Sequence, residues 1–235
     1  MNSFTIIGHR GACAHEPENT LRSIRRAITD GADMVEIDVR WAAGELVVIH
    51  DDTLERTTNG NGPIDGRSFD ELRQFDAGAG ERIPTLNEAL AVTLPALPLN
   101  IEIKEMAAAE PVCELLLSLP QLDPQQVLIS SFHENAIRHV RDRMPEIPIG
   151  ILANHDPASL GRMIPLAIEL GASSAHPAVG SVSEELVAQA HASNLRVLPY
   201  TARTLEQLEQ VLKCGADGCF ADDPKWAEGI AAARM

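Results

Sequence analysis

Short, nearly continuous apolar runs alternate with amphipathic stretches along the whole chain. Runs bounded by Gly, Pro, Asp or Ser predict strands at Thr5–Gly8, Met34–Arg40, Leu99–Ile103, Val127–Ser131, Ile147–Leu152, Ala172–His176, Arg196–Thr201 and Asp217–Ala221. Unbroken apolar character is the pattern of parallel strands covered on both faces. Between them lie helical patterns. "NTLRSIRRAITDGAD" offers Asn19 or Thr20 as N-cap and Gly31 just past its end. Ser183 precedes Leu186, Val187 and Ala190, and Thr204 with Gln207 forms a capping box before a helix that stops at Gly215. "DPKWAEGIAAARM" predicts a last helix.

Eight strands alternating with helices in 235 residues is the count of a (β/α)8 TIM barrel. The rival is an open doubly wound sheet, which requires a Gly-rich phosphate loop; no G-x-G-x-x-G or Walker pattern follows a strand here. Residues 51–83, "DDTLERTTNGNGPIDGRSFDELRQFDAGAGERI", break the rhythm. Polar and rich in Gly and Asp, they predict a small insertion after the second strand region, over one rim of the barrel. The chain reads as one domain over residues 1–235.

Composition narrows the partners. Hydrophobic residues are 45% and aromatics only 3%, so Ala, Leu, Ile and Val carry the core. The formal net charge of -15 opposes nucleic acid and anionic membranes, which need clustered cations. A small anionic substrate fits only where local cations or a metal overcome that field. The cysteines at 13, 113, 214 and 219 form no CxxC pair and predict reduced thiols. After Met1 the chain reads "NSFTII", with no basic leader and long apolar core of a signal peptide, and no apolar run approaches the ~20 residues of a membrane span. A cytoplasmic protein without membrane insertion is expected.

Chemistry gathers at strand ends. His9 and Arg10 follow directly on the first strand, and a guanidinium hidden in a core would be costly, whereas one at a barrel mouth is not. In "VEIDVR", Glu36 and Asp38 are two apart and share one face of a strand, and in "NIEIKE" so do Glu102 and Lys104. The run "LVVIHDD" ends on His50. Val35, Ile37 and Val39 claim the face that packs on helices, which turns Glu36 and Asp38 into the barrel, where uncompensated carboxylates call for a cation. Three carboxylates suit Mg²⁺ or Ca²⁺. Arg10 and Lys104 suit a phosphate, and His9 and His50 suit proton transfer near neutrality. Metal-assisted phosphoryl transfer uses this whole set. Each part also has a plainer reading: Arg10 as an ion-pair partner of Glu36, Lys104 as one of Glu102, His50 as a surface histidine. Their convergence on one rim favours the chemical reading. His15, His133, His139, His155 and His191 read as structural, and His176 ends the sixth strand at a possible pocket edge. A zinc site is the weaker alternative, since no H-E-x-x-H occurs and "HEPEN" puts no second histidine in reach.

Taken together, "HRGACAHEPENT", "VEIDVR", "HDDTLERTTNG", "IPTLNEAL", "NIEIK" and "GADGCFADDP" resemble the glycerophosphodiester phosphodiesterase family, from residue 9 to residue 224 and in the family's order. The resemblance implies hydrolysis of glycerophosphodiesters, such as glycerophosphocholine or glycerophosphoethanolamine, to sn-glycerol 3-phosphate and an alcohol. It implies one divalent cation held by Glu36, Asp38 and Glu102, an acid/base pair in His9 and His50, and phosphate binding by Arg10 and Lys104. Glu18 and Asn19 read as structural, with Asn19 and Thr20 capping the first helix. Two departures touch the substrate's expected place: Tyr200-Thr201 where many members have Trp-Thr, and Cys219-Phe220-Ala221-Asp222 where aliphatic residues before Thr-Asp are common. Tyr200 therefore joins the substrate-binding set, as does Phe132, a candidate wall for the glycerol or else a packed core aromatic. The alternatives are a phospholipase-D-like lyase acting on lysophospholipids and a noncatalytic barrel that binds a phosphometabolite.

Overall fold

In the computed structural model, which describes residues 4–234, nine strands and nine helices follow one another. The strands are β1 (Thr5–Gly8), β2 (Met34–Ala42), β3 (Glu45–Val48), β4 (Leu99–Ile103), β5 (Val127–Ser131), β6 (Ile149–Ala153), β7 (Ser174–Pro177), β8 (Arg196–Val197) and β9 (Gly218–Ala221). The helices are α1 (Leu21–Thr29), α2 (Phe69–Leu72), α3 (Leu86–Thr93), α4 (Ala109–Leu117), α5 (Glu134–Arg143), α6 (Pro157–Leu170), α7 (Glu184–His191), α8 (Leu205–Lys213) and α9 (Pro224–Arg234). The sheet runs β8-β7-β6-β5-β4-β2-β1-β9, with β3 antiparallel to β2. Among the described residues the other eight strands are parallel and form a nearly closed barrel. Between β8 and β9 the backbone is joined by Asp217 N–H to Val197 O (3.0 Å), Phe220 N–H to Pro199 O (2.9 Å) and Ala202 N–H to Phe220 O (2.8 Å).

Alternation along each strand divides the core in two. Val35, Ile37, Val39, Leu99, Ile101, Ile103, Val127 and Ile129 point outward and pack with Ile24, Ala27, Leu86, Val112 and Leu116 of the helices. The opposite face turns into the barrel, where Ile7, Leu198 and Phe220 form a separate apolar plug against Met34 and Tyr200. In register above that plug come Glu36 beside Asn100 and Asp38 beside Glu102. The choice of face is therefore made by the helices, which take the Val and Ile positions and leave the acids inside.

Helix signals act where the residues place them. Thr20 Oγ1 accepts from Ser23 N–H, Ser183 caps α7, and Thr204 with Gln207 closes a capping box on α8. Asn19 is not a cap. It sits at φ 59°, and its side chain faces Asp38. β2 runs two residues past the expected Arg40 because it turns back through Ala43 and Gly44, at φ 56° and 77°, to pair with β3. The seventh parallel strand, expected over Arg196–Thr201, is regular only at Arg196–Val197, because Pro199 has no N–H to offer towards β9; towards β7 the pairing runs on, through Leu198 N–H to Ala175 O at 2.9 Å and Tyr200 N–H to Pro177 O at 3.0 Å.

The insertion lies inside the second strand–helix unit, between β3 and α3. It is less polar in effect than its composition predicts: Leu54, Ile64, Leu72, Ala77 and Ile83 join Ala42, Val47 and Ile49 in a small core of their own, with Phe69 and Phe75 packed on it. α2 within it opens on a Ser68–Glu71 capping box. The apolar residues are spaced too irregularly for a helix or strand period to reveal them.

The turn after β1 is tight. Arg10 has φ 52° and Gly11 φ 84°, and a Cβ on Gly11 would lie 2.5 Å from the carbonyl carbon of Ser23 in α1. Gly11→Ala is expected to lower the melting temperature by at least about 5 °C, combining left-handed strain with a backbone clash. An unchanged thermal unfolding curve would show that α1 does not pin this turn.

Candidate active site

The strand-end acids, cations and the two histidines His9 and His50 come together at the C-terminal mouth of the barrel. Glu36 and Asp38 on β2 and Glu102 on β4 present carboxylate oxygens within 4.8 Å of one another. Glu36 and Asp38 are each 1% exposed. Arg10 N–H donates to Glu36 Oε2 at 2.8 Å, and this contact exists because the left-handed φ of Arg10 turns its amide back over β2. The other oxygen, Glu36 Oε1, is buried with no hydrogen-bond partner. Asp38 is better supplied. Asn19 Nδ2 donates to Asp38 Oδ2 at 2.8 Å, Lys104 Nζ lies 3.3 Å from Oδ1, and Arg10 Nε lies 3.1 Å from Oδ2. Lys104 Nζ also reaches Glu102 Oε1 at 2.5 Å.

These environments separate the three acids. Burial, with Asp38 and Glu102 alongside, pushes the Glu36 carboxyl well above its ordinary range. Burial and the Asp38 charge raise Glu102 to about 7. Burial would raise Asp38 too, but Lys104 and Arg10 outweigh it and hold Asp38 ionised. The acids act in turn on Lys104: burial opposes its ammonium, and Asp38 and Glu102 more than restore it. Three acids thus share two cations, and one buried oxygen is left without a partner. A hard divalent cation fits this donor set, and Glu36, Asp38 and Glu102 are the residues that would hold it.

The two histidines flank the acids. His9 is 9% exposed, and its Nδ1 lies 2.6 Å from Asp222 Oδ1. Burial would raise the Asp222 carboxyl, but the hydrogen bond from His9 and the Arg203 guanidinium hold it well below the carboxylate range. An ionised Asp222 only accepts, so His9 donates from Nδ1 and keeps Nε2 as its free base position. Burial lowers the His9 pKa, against the Asp222 hydrogen bond. His50 is arranged likewise, with Nδ1 2.5 Å from Asp51 Oδ1, and burial lowers it too. Arg56 ties the two sides: Nε donates to Asp51 Oδ2 at 2.5 Å, and its terminal nitrogens reach Glu18 at 2.7 and 2.9 Å. Glu18 in turn accepts from Arg10 Nη1 at 2.7 Å.

Phe132 and Tyr200 stand on the opposite side. Phe132 is 41% exposed, so it is not a core aromatic. Its ring meets Tyr200 edge to face at 5.7 Å, and Lys104 Nζ lies 5.9 Å from its centroid. Tyr200 donates its hydroxyl to Ala153 O at 3.0 Å. His176 does not reach the mouth. It is fully buried inside the barrel, with Nε2 2.8 Å from Ser174 Oγ and its ring against Phe220. Three groups escaped sequence reasoning: Asp222 behind His9, Asn19 behind Asp38, and the Glu18–Arg56 link. For Asp222 a signal existed, since it follows the last strand and a closed barrel brings that strand beside the first.

A carboxyl that holds its proton more tightly folded than unfolded costs nothing at low pH and destabilises once it must ionise. For Glu102 the penalty grows as pH rises from the ordinary 4.5 to about 7. In metal-free protein at pH 8, Glu102→Gln is therefore expected to add on the order of 2 kcal/mol, a gain that vanishes towards pH 4.5. Denaturant unfolding across that range checks it, and a pH-independent difference would contradict the assigned strain.

A family model described as glycerophosphoryl diester phosphodiesterase family matches residues 9–226. The chain is 35% identical, over 232 residues and 94% of each protein, to a glycerophosphodiester phosphodiesterase of Caldanaerobacter subterraneus subsp. tengcongensis. It is 32% identical to one of Bacillus altitudinis, across 96% of this chain and 97% of that one. Its fold matches a phosphodiesterase of Oleispira antarctica, solved in complex with the product sn-glycerol-3-phosphate, with a TM-score of 0.86, 31% identity and coverage of 97% and 96%. A glycerophosphodiester phosphodiesterase of Agrobacterium tumefaciens str. C58 matches with a TM-score of 0.80, 27% identity and coverage of 97% and 99%. With the strand-end acids, histidines and cations at the mouth of the same barrel, the chain belongs to the glycerophosphoryl diester phosphodiesterase family.

Proposed function

We propose that this glycerophosphodiester phosphodiesterase hydrolyses substrates such as glycerophosphocholine or glycerophosphoethanolamine to sn-glycerol 3-phosphate and an alcohol, with one divalent cation, Mg²⁺ or Ca²⁺. The observation that carries the reading is the buried trio Glu36, Asp38 and Glu102, short of positive charge and with Glu36 Oε1 unpartnered. The whole chain, insertion included, is taken to act as one domain. Among the described residues no helix is long and apolar enough to cross a membrane.

A cation at the trio would supply electrostatic stabilisation of charge on the phosphate oxygens. The remaining roles belong to the chain. Arg10 offers a planar fork and Lys104 a point charge to the phosphate, and both are held at the mouth by Asp38. His9 and His50 each have Nδ1 engaged by a carboxylate, which fixes the ring and leaves Nε2 for the substrate. One takes the proton of the attacking oxygen, and the other gives a proton to the leaving alkoxide. Phe132 and Tyr200 give the glycerol an apolar wall beside Lys104.

Protein stripped with EDTA is expected to release no glycerol 3-phosphate from glycerophosphocholine or glycerophosphoethanolamine until Mg²⁺ or Ca²⁺ is restored. Turnover undiminished by stripping would defeat the metal assignment. His9→Ala and His50→Ala should each lower kcat by about 10²–10⁴ while the protein stays folded. Lys104→Ala should act chiefly on kcat, because its charge matters most as negative charge builds on the phosphate; an unchanged kcat/KM would remove Lys104 from the site.

A further inference from the structure

His9 and Asp222 also belong to a second cluster, completed by Cys13, a residue to which the hydrolytic reading gives no role. Cys13 Sγ lies 4.0 Å from His9 Nδ1, and the ligand atoms of His9, Cys13 and Asp222 all fall within 4.8 Å of one another. One imidazole nitrogen, one sulfur and one carboxylate oxygen at this spacing are the donors of a tetrahedral site for a thiophilic divalent ion. The cluster differs in kind from the all-oxygen trio of Glu36, Asp38 and Glu102.

Its geometry is built by the backbone. His9 N–H donates to Ala221 O at 3.0 Å, and Ala14 N–H donates to Asp222 O at 2.9 Å, so the turn bearing Cys13 is stitched to the end of β9 on both sides. Arg203 Nε takes Asp222 Oδ2 at 2.6 Å and leaves Oδ1 facing His9. An entry path exists, because Cys13 lines an open cavity of about 500 Å³ together with Glu16, Glu18 and Arg56. That cavity also has room for a water as fourth ligand. The remaining cysteines, Cys113, Cys214 and Cys219, are buried and join no such cluster among the described residues.

We propose that His9, Cys13 and Asp222 form a binding site for Zn²⁺ or a similar thiophilic cation, and that its occupation switches the enzyme off by taking His9 out of proton transfer. On binding, the thiol gives its proton to solvent. The imidazole coordinates through Nδ1 and carries its own proton on Nε2, so that nitrogen cannot accept a proton, and with Nδ1 on the ion the ring cannot become the imidazolium that would protonate a leaving alkoxide. Burial and the Asp222 charge keep the Cys13 thiol protonated without metal, so an empty site is inert. The binding claim stands on the cluster alone. The inhibition claim rests on the role given to His9 above.

The test separates the two. Metal-free protein titrated with Co²⁺ should develop a near-ultraviolet thiolate-to-cobalt charge-transfer band, absent from Cys13→Ser. With the activating cation saturating, Zn²⁺ should inhibit the parent, and Cys13→Ser, with its basal turnover intact, should need at least about tenfold more Zn²⁺. No thiolate band in the folded parent overturns the site. A band with turnover undiminished keeps the site and overturns the role of His9. Equal Zn²⁺ sensitivity in parent and Cys13→Ser overturns inhibition through this cluster.

Discussion

Three carboxylates enclosed at one end of a barrel with only two cations beside them are the constraint on which the rest of this structure turns. Glu36 and Asp38 are inside because Val35, Ile37 and Val39 belong to the helices, and Glu102 is inside because Leu99, Ile101 and Ile103 do. Burial multiplies the repulsion among like charges. Arg10 and Lys104 relieve Asp38 most, and Glu36 is left with one oxygen unpartnered. Such a site is poor as a stability device. It makes sense as a receptor for positive charge.

Around that deficit, each neighbouring element has a positioning task. The left-handed turn at Arg10 aims an amide at Glu36, Gly11 lets the turn sit against α1, and Asn19 spends both ends of its amide on Asp38. His9 and His50 are oriented by Asp222 and Asp51, and Glu18 with Arg56 couples the insertion to Arg10. The insertion can hold Arg56 in place because Leu54, Leu72 and Ile83 give it a core, with Phe75 packed against them. The groups proposed for catalysis thus lie at strand ends, and their supports lie on loops.

How much of this was legible in the chain follows from the range of each signal. The acidic trio and the two cations beside it were readable because strand alternation is local: two residues apart means one face, and the apolar partners say which. The helix caps at Thr20, Ser183 and Thr204 were readable for the same reason. Asn19 looked like a cap because it adjoins Thr20, yet only the approach of β2 shows that its partner is Asp38. Asp222 lies 213 residues from His9, and barrel closure alone brings them together. The insertion's core was hidden by its Gly and Asp content, since its few apolar residues follow no helical or strand period.

The central claim is that Glu36, Asp38 and Glu102 enclose a site for one divalent cation. Calorimetric titration of Ca²⁺ or Mg²⁺ into metal-free parent protein and Glu36→Gln, each shown to be folded, measures it most directly. One ion bound per parent chain, and none or far weaker binding in Glu36→Gln, is the expected result. Equal stoichiometry and affinity in both proteins would place the cation elsewhere and leave the unpartnered oxygen of Glu36 without a purpose.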